Sequence, residues 1–302
     1  MPHIYLYSPS GAVGDRAAFR RGVRRLQALG HEVEVDEAAL ARAQRFAGDD
    51  AIRLAAIGRA AASRADVAMI SRGGYGLTRI LDHLPYKALA RAIDQGTQFV
   101  GLSDFTSLQC ALMARVGAPS WAGPALMDDF AGPEEPDEIT QACFEDLITG
   151  RGEGTGWRLP ASEAGDWTLR QTTVWGGNLS ILAALAGTPY LPVVTGGVLF
   201  IEDVNEHPYR VERMLTQLLH AGVLTQQKAI VFGQFSNYRL VPHDRGFKLQ
   251  SVVDWLRSRV KARVITGLPF GHVATKVVLP FGRSCDLVVQ DRQALLLWGH
   301  DA

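Results

Sequence analysis

Short runs typical of β-strands alternate with helical patterns along the N-terminal half of the chain. These runs predict strands at residues 4–8, 31–35, 67–70 and 98–102. The patterns between and after them predict helical segments at residues 16–29, 49–63, 77–84 and 105–116. Because parallel strands require crossovers of this kind, the pattern predicts βαβ units around a parallel sheet. In such sheets, ligands bind beyond the carboxyl ends of the strands.

The C-terminal half has a less regular order of elements. Its pattern predicts strands at residues 168–175, 197–202 and 229–232, helices at 209–221 and 246–260, and short strands between 276 and 298. This mixture is typical of an α+β domain. One stretch, residues 171–201, contains no charged residue, but glycines and prolines divide it into short pieces. We therefore expect it to be buried core and not a membrane span.

An acidic, turn-rich segment separates the two halves. Residues 128–156 are rich in Asp, Glu, Gly and Pro, and they include a predicted helix that ends near Thr149. The sequence therefore predicts a parallel-sheet domain at residues 1–130, a linker segment at residues 131–165 and a smaller α+β domain at residues 166–302.

Composition and charge narrow the classes of partner. The 302 residues include 31 basic and 31 acidic side chains, and 47% are of hydrophobic type, which suffices for about two domains with sizeable cores. Zero net charge supplies no broad positive field for nucleic acid or for an anionic membrane, so small partners are favoured. The three cysteines are widely spaced without a CxxC pair, which fits a reducing compartment. Since the N-terminus lacks the basic start of a secretion signal, we expect a cytoplasmic protein.

The glycine-rich loop SRGGYG, residues 71–76, follows a predicted strand and precedes a helical segment. Adjacent glycines let backbone amides approach a ligand closely, although an ordinary tight turn has the same composition. The loop lacks the third glycine of a dinucleotide fingerprint, and no glycine precedes a lysine as in a Walker A loop. The histidines show no metal-ligand spacing. We therefore expect neither a nucleotide cofactor nor a metal.

A serine stands at a second strand-to-helix junction, in GLSDFT at residues 101–106. A sharp turn here would expose Ser103 as a nucleophile, with the following amide as part of an oxyanion hole. However, Ser, Asp and Thr are also the preferred N-cap residues of helices, and Phe105 replaces the second glycine of GxSxG. On spacing alone, the capping role is the commoner one.

Two carboxylates and a histidine in the C-terminal half supply the other groups of a serine triad. Glu202 and Asp203 close an apolar strand, which is an unusual place for two carboxylates unless they face a cleft or cap the next helix. Either Asp203 or Asn205 is a candidate for that cap. His272 lies in the uncharged loop TGLPFGH, where a histidine is more often a hydrogen-bonded structural residue. In chain order, Ser103, Glu202 and His272 are a nucleophile, an orienting acid and a base. The sequence permits this triad without establishing it.

Six segments resemble those of the LD-carboxypeptidases, or muramoyltetrapeptide carboxypeptidases, a family of serine peptidases. They run from residue 9 to residue 282 and read PSG, SRGGYGLTRILDHL, GLSDFTSL, GNLSILAALAGTPYLP, FIEDVNEHPYRVERML and TGLPFGHVATKVVLPFG. Each segment alone is weakly specific, whereas all six in one order are quite specific. The resemblance implies a flavodoxin-like N-terminal domain that carries the nucleophile and a C-terminal domain that carries the acid and the base.

By motif match, the resemblance implies Ser103 as nucleophile, Glu202 as acid and His272 as base. It also implies that the backbone amides of Gly74 and Asp104 form the oxyanion hole. The implied substrate is a cytoplasmic muropeptide tetrapeptide, cut between its third residue and the terminal D-alanine in cell-wall recycling. The family further leads us to expect a homodimer.

Other interpretations stay open. Arg72, beside the glycine loop, is a candidate clamp for the substrate's terminal carboxylate, with a structural salt bridge as its alternative. The related microcin C immunity peptidases use the same three roles to cleave an acyl-nucleotide conjugate. A further interpretation is a non-catalytic binding module in which the glycine loop binds an anion. The sequence does not indicate whether lysine or diaminopimelate occupies the third substrate position.

Overall fold

The alternating pattern of the N-terminal half folds as a parallel sheet in a computed structural model, which describes residues 1–163 and 165–299. Residues 1–152 and 274–279 form a first unit, and residues 153–273 together with the chain from residue 280 form a second. Each unit has its own sheet. None of the helices in the described part of the chain is long and apolar enough to cross a membrane.

The first unit has a sheet flanked by helices. Its strands are β1 His3–Tyr7, β2 Glu32–Val35, β3 Val67–Ile70, β4 Gln98–Gly101 and β5 Ser120–Ala122. Its α-helices are α1 Arg16–Ala28, α2 Asp50–Ala62, α3 Tyr86–Asp94, α4 Thr106–Val116 and α5 Glu138–Ile148. The strands lie in the order β5-β4-β3-β1-β2, and each neighbouring pair is parallel. The predicted parallel sheet is therefore confirmed.

The elements of the first unit form where apolar residues and caps specify them. All four residues of β3 are fully buried, as expected for a central parallel strand. Helix α1 begins after Asp15, whose carboxylate accepts hydrogen bonds from the backbone amides of Ala17 and Ala18. Its buried residues include Phe19 and Leu26, so one apolar face packs against the sheet.

One predicted helical segment takes a different form. Residues 77–84 form two 3₁₀ turns, Leu77–Arg79 and Leu81–His83, instead of an α-helix. The α-helix that follows, α3, begins after Pro85, which lacks an N–H and is tolerated at a helix start but not in its interior. The sequence pattern missed both α3 and the short strand β5.

The predicted linker at residues 131–165 contains helix α5, which is part of the first unit. The His31 side chain hydrogen-bonds Glu145 of this helix at 2.7 Å between Nε2 and Oε1. The amide of the Gln98 side chain donates to the carbonyl of Leu147. Because these contacts and an apolar face hold α5, the first unit extends to residue 152, past the predicted boundary at residue 130.

The second unit has a mixed sheet. Its strands are β6 Gly154–Arg158, β7 Trp167–Asn178, β8 Val198–Val204, β9 Ala229–Ser236, β10 Arg263–Ile265, β12 Arg283–Gln290 and β13 Gln293–Leu297. Strand β11, Leu279–Phe281, begins on the last residue of the returning segment and lies at the β5 edge of the first sheet. The helices are α6 Leu179–Leu185, α7 Pro208–His220 and α8 Leu249–Arg259.

The second sheet has a parallel part and an antiparallel part. Its order is β10-β9-β8-β7-β12-β13-β6, with parallel pairing from β10 to β7 and antiparallel pairing from β7 to β6. The uncharged stretch 171–201 supplies most of β7, all of α6 and the start of β8, and these elements are mostly buried, as predicted. Residues 187–196, between α6 and β8, include several exposed residues, among them Val193 at 87%, so this part of the stretch is not core. Strand β6 and helix α6 were not predicted.

Candidate active site

Ser103 lies where strand β4 ends and helix α4 begins. Leu102 is the only residue between the strand and a 3₁₀ turn, Ser103–Phe105, that leads directly into α4. The φ angle of Ser103 is 65°, in the left-handed region that L-residues rarely adopt. Such a strained strand-to-helix turn is the backbone form that presents a nucleophilic serine in hydrolases. Ser103 begins the 3₁₀ turn and makes no side-chain capping hydrogen bond there, unlike the capping serine that the sequence also allowed.

The glycine loop packs directly against this serine. A Cβ atom on Gly73 would lie 2.7 Å from Ser103 Cβ and 2.9 Å from its Oγ, so no side chain fits there. The next residue, Gly74, has a φ of 114°, which favours glycine. The amide of Gly11, in the early PSG segment, donates to the carbonyl of Gly73 at 3.1 Å. The glycine loop therefore packs on Ser103, and the early PSG segment in turn holds the glycine loop.

Arg72 lies at the start of this loop. Its Nη1 donates to the carbonyl of Ala12 at 3.3 Å, and the side chain is partly exposed. In the part of the chain that the structure describes, Arg72 forms no ion pair, so the salt bridge considered as its alternative role is absent there. The hydrogen bond recorded for the guanidinium in this part of the chain goes to a neutral carbonyl.

Glu202 lies on strand β8 and is completely buried. Its Oε2 is 2.7 Å from Nδ1 of His272, and its Oε1 accepts a hydrogen bond from the side-chain amide of Asn178 at 3.2 Å. A carboxylate can only accept, so the imidazole Nδ1 carries the proton of this bond. Because the carboxylate has partners on both oxygens, it fixes the tautomer and the ring orientation of His272.

The backbone around His272 is held against strand β9. The hydroxyl of Ser236 donates to the His272 carbonyl at 3.0 Å, and the amide of Gln234 donates to the Phe270 carbonyl at 2.8 Å. Gly271 has a φ of 140°, and a Cβ there would lie 3.2 Å from Glu202 Oε2. The loop therefore approaches the carboxylate through a glycine, and the His272 side chain remains 21% exposed, whereas that of Glu202 is 0% exposed.

Asp203, next to the orienting acid, has a structural set of contacts. Its Oδ2 accepts from the amide and the hydroxyl of Ser180, and its Oδ1 accepts from Asn178 and from the amide of Val204. Burial raises the pKa of Asp203 and the neighbouring Glu202 adds to the rise, while Ser180 and Asn178 oppose it. Asp203 therefore links the start of helix α6 to strand β8.

The predicted cap of helix α7 was wrong. Neither Asp203 nor Asn205 is the N-cap, because the side chain of His207 accepts the hydrogen bond from the amide of Tyr209. Pro208 occupies the first turn of the helix, where the missing N–H of proline costs no hydrogen bond.

Sequence reasoning missed the role of Asn178. This residue ends strand β7 and pairs in register with Glu202 on β8, so the two side chains meet at the carboxyl ends of parallel strands. A polar residue directly after the buried run of β7 was the available signal. The structure thus brings Ser103 together with the glycine loop in the first unit, and Glu202 together with His272 in the second.

Models of two known domains match the chain. The LD-carboxypeptidase N-terminal domain matches residues 4–123, and the LD-carboxypeptidase C-terminal domain matches residues 171–287. The murein tetrapeptide carboxypeptidase of Pseudomonas aeruginosa is 30% identical over 226 residues, which cover 72% of this chain and 70% of that protein. A probable murein peptide carboxypeptidase of Bacillus subtilis is 27% identical over 273 residues, covering 90% and 84% of the two chains.

Solved structures give the same result. The crystal structure of muramoyltetrapeptide carboxypeptidase from Oxalobacter formigenes is 39% identical, covers 97% of both chains and superposes with a TM-score of 0.87. The wild-type microcin C7 self-immunity protein MccF superposes with a TM-score of 0.85 at 22% identity, covering 98% of this chain and 96% of its own. At that identity the second likeness concerns the fold alone.

Proposed function

The chain belongs to the LD-carboxypeptidase family of serine-type carboxypeptidases, and we propose that it releases the terminal D-alanine of muropeptide tetrapeptides with a Ser103, His272 and Glu202 triad. The observation that carries the proposal is the 2.7 Å hydrogen bond between His272 Nδ1 and the buried carboxylate of Glu202. A buried acid that fixes one imidazole nitrogen is the arrangement by which serine peptidases prepare a general base. The left-handed backbone of Ser103 adds support from the other unit.

In the proposed mechanism, His272 Nε2 takes the proton from Ser103 Oγ as that oxygen attacks the carbonyl carbon of the substrate amide. The Glu202 carboxylate stabilises the imidazolium that forms and keeps Nδ1 protonated. The imidazolium then gives its proton to the leaving amine, so that D-alanine departs and an acyl-enzyme on Ser103 remains. Water, deprotonated by the same imidazole, hydrolyses this ester and restores the serine.

The developing oxyanion needs donors beside Ser103. We assign this role to the backbone amides of Gly74 and Asp104, which belong to the two segments that meet at the serine. Amides fixed by a folded backbone stabilise the tetrahedral intermediate without having to reorganise during the reaction. The close packing of Gly73 on Ser103 supports this assignment, because it holds the glycine loop beside the reacting oxygen.

Arg72 is the proposed clamp for the carboxylate of the terminal D-alanine. A carboxypeptidase must recognise a free C-terminus, and a guanidinium matches a carboxylate with two parallel hydrogen bonds. The guanidinium donates to the neutral Ala12 carbonyl and forms no ion pair with the described residues, so it is suited to this role.

The proposal places the enzyme in the cytoplasm as a homodimer that acts in peptidoglycan recycling. The names of the relatives, which include murein tetrapeptide and muramoyltetrapeptide carboxypeptidases, support this substrate class.

The test is release of D-alanine from a defined tetrapeptide by the wild type and by Ser103→Ala. We expect the variant to fold and to lose turnover, since no other group replaces the nucleophile. Release at the wild-type rate would contradict the proposal. Parallel incubation with an acyl-nucleotide conjugate separates the muropeptide activity from the microcin-type activity, because only the latter cleaves the conjugate.

A further inference from the structure

The side chain of Asp104, next to the proposed nucleophile, is buried against the glycine loop. It is 1% exposed, and its Oδ2 accepts a hydrogen bond from the backbone amide of Leu77 at 2.9 Å. One side chain thus joins the turn of the proposed nucleophile to Leu77, the residue directly after the glycine loop.

The interior of the protein disfavours the charged form of the Asp104 carboxyl group, because burial removes it from water. Burial raises the pKa of Asp104, and the Leu77 amide, the Ser10 hydroxyl, the Gly76 amide and the charge of Arg53 oppose the rise. Arg53 is itself completely buried and donates to the carbonyl of Pro9 at 3.1 Å. A buried acid is stable only with directed hydrogen bonds, and Asp104 accepts one from Leu77, the residue directly after the glycine loop.

The position of Asp104 matters for the two proposed oxyanion donors. The first donor, the amide of Gly74, belongs to the glycine loop, and the second is the backbone amide of Asp104 itself. The side chain of Asp104 bonds Leu77, three residues after Gly74, and so joins the loop of one donor to the residue of the other. A displacement of either segment changes the distance between the two amides.

We propose that the carboxyl group of Asp104 is a positioning residue that holds the two oxyanion donors at their working separation. The inference rests on the proposed function, because it assumes that these amides bind the oxyanion. The donors act on the transition state more than on the bound substrate, so loss of their alignment lowers kcat and leaves KM nearly unchanged.

The experiment compares Asp104→Ala with Asp104→Asn on D-alanine release. Neither change removes the backbone amide, and the asparagine oxygen can still accept from Leu77. Removing one oxyanion donor costs about 100-fold or more in kcat, so we expect Asp104→Ala to lose about 100-fold with KM within about threefold. We expect Asp104→Asn to recover most of this loss, with kcat within about tenfold of the wild type.

Asp36→Asn is the matched control for the loss of a buried carboxylate. Asp36 is 3% exposed and accepts hydrogen bonds from Tyr5 and Arg59, but it follows β2, which is separated from β4 by two strands. We expect this variant to lose stability and to keep kcat within about twofold.

Three results would overturn the inference. The first is an Asp104→Ala enzyme with kcat within twofold of the wild type, and the second is an Asp104→Asn enzyme as slow as Asp104→Ala. The third is an Asp36→Asn enzyme that loses as much kcat as Asp104→Ala when the two variants have the same change in melting temperature. Ser103→Ala, measured alongside, separates this failure from that of the proposed function. An active Ser103→Ala contradicts the triad itself, whereas an inactive Ser103→Ala with an active Asp104→Ala contradicts only the positioning role.

Discussion

The nucleophile region and the acid–base region of this protein are built in different ways. Around Ser103 the geometry comes from the backbone, through a left-handed serine and a glycine that leaves no room for a Cβ. Around Glu202 the geometry comes from side chains, through a buried carboxylate that bonds His272 and Asn178. The nucleophile region is therefore sensitive to added side-chain volume, and the acid–base region is sensitive to changes in charge and in hydrogen-bonding groups.

The largest effect is expected from Glu202→Gln, which keeps the volume and removes the charge. A glutamine can present its N–H₂ to the imidazole and so favour the wrong tautomer, and a comparable change in a serine triad costs about 10⁴-fold in kcat. Steady-state D-alanine release measures the loss, and circular dichroism checks the fold.

Asp203→Asn is the control for this change, since Asp203 is also buried and also bonds Asn178. We expect it to lower stability by about 1–3 kcal/mol and to keep kcat within about tenfold. If Glu202→Gln kept kcat within tenfold of the wild type, the function of the acid–base region would not depend on the charge of Glu202.

The next effect is that of Gly73→Ala, which adds one methyl group to the first region. The new Cβ would lie 2.7 Å from Ser103 Cβ, so the serine or the loop must move, and a displacement of about 1 Å costs about 100-fold in rate. D-alanine release measures kcat.

Gly58→Ala is the steric control, because a Cβ on Gly58 in helix α2 meets nothing within 4 Å. We expect this variant to be fully active and more stable by about 0.5–1 kcal/mol. Full activity of Gly73→Ala would show that the close packing at Ser103 is not needed for turnover.

A smaller effect is expected from Arg72→Gln, which tests whether the first region also binds the substrate terminus. Loss of a charge-assisted bond of about 1.5 kcal/mol or more raises KM for a free-carboxylate tetrapeptide by about tenfold. The same peptide with an amidated C-terminus is the comparison, since it should bind both enzymes equally weakly. An equal change in KM for both peptides would exclude the clamp.

The smallest effect concerns Asp36, a buried carboxylate that we expect to serve stability alone. Burial would raise its pKa, but hydrogen bonds from Arg59, Tyr5 and the Ala38 amide hold the pKa of Asp36 below its usual range. A carboxyl with a lower pKa in the folded state stabilises the fold above its unfolded pKa, and this contribution is lost as the pH falls through the folded pKa.

The free energy of unfolding of Asp36→Asn should therefore lie below that of the wild type at pH 7, with a gap that narrows below about pH 4. Urea unfolding at several pH values measures this gap. A gap that stayed constant from pH 7 to pH 3 would mean that the charge of Asp36 does not stabilise the fold.

The sequence predicted the parallel sheet because its short strand-like runs are separated by segments of helical pattern. It missed helix α6, Leu179–Leu185, because an apolar helix inside an apolar stretch shows no contrast between its faces. It also missed strand β6, Gly154–Arg158, because its glycine-rich composition is typical of loops. This strand lies at the edge of its sheet and forms through its pairing with β13.

The acid–base pair was harder to predict than the sheet. Glu202 and His272 are 70 residues apart in the chain, and their contact follows from the neighbouring positions of β8 and β9 and from the glycine at residue 271. Their spacing permits a pair without requiring one, so the resemblance to a family was needed to single them out. Asn178 escaped both approaches, since asparagine after a strand is also an ordinary helix cap.

The central claim is that Ser103 is a nucleophile activated by His272, and covalent labelling with a fluorophosphonate probe tests it most directly. Peptide mapping by mass spectrometry locates the adduct, and its rate of formation is compared among the wild type, Ser103→Ala, His272→Ala and Gly58→Ala. The account predicts one adduct on Ser103, none in Ser103→Ala, a rate lowered by about 100-fold or more in His272→Ala, and an unchanged rate in Gly58→Ala. Labelling of His272→Ala at the wild-type rate, or of a residue other than Ser103, would contradict it.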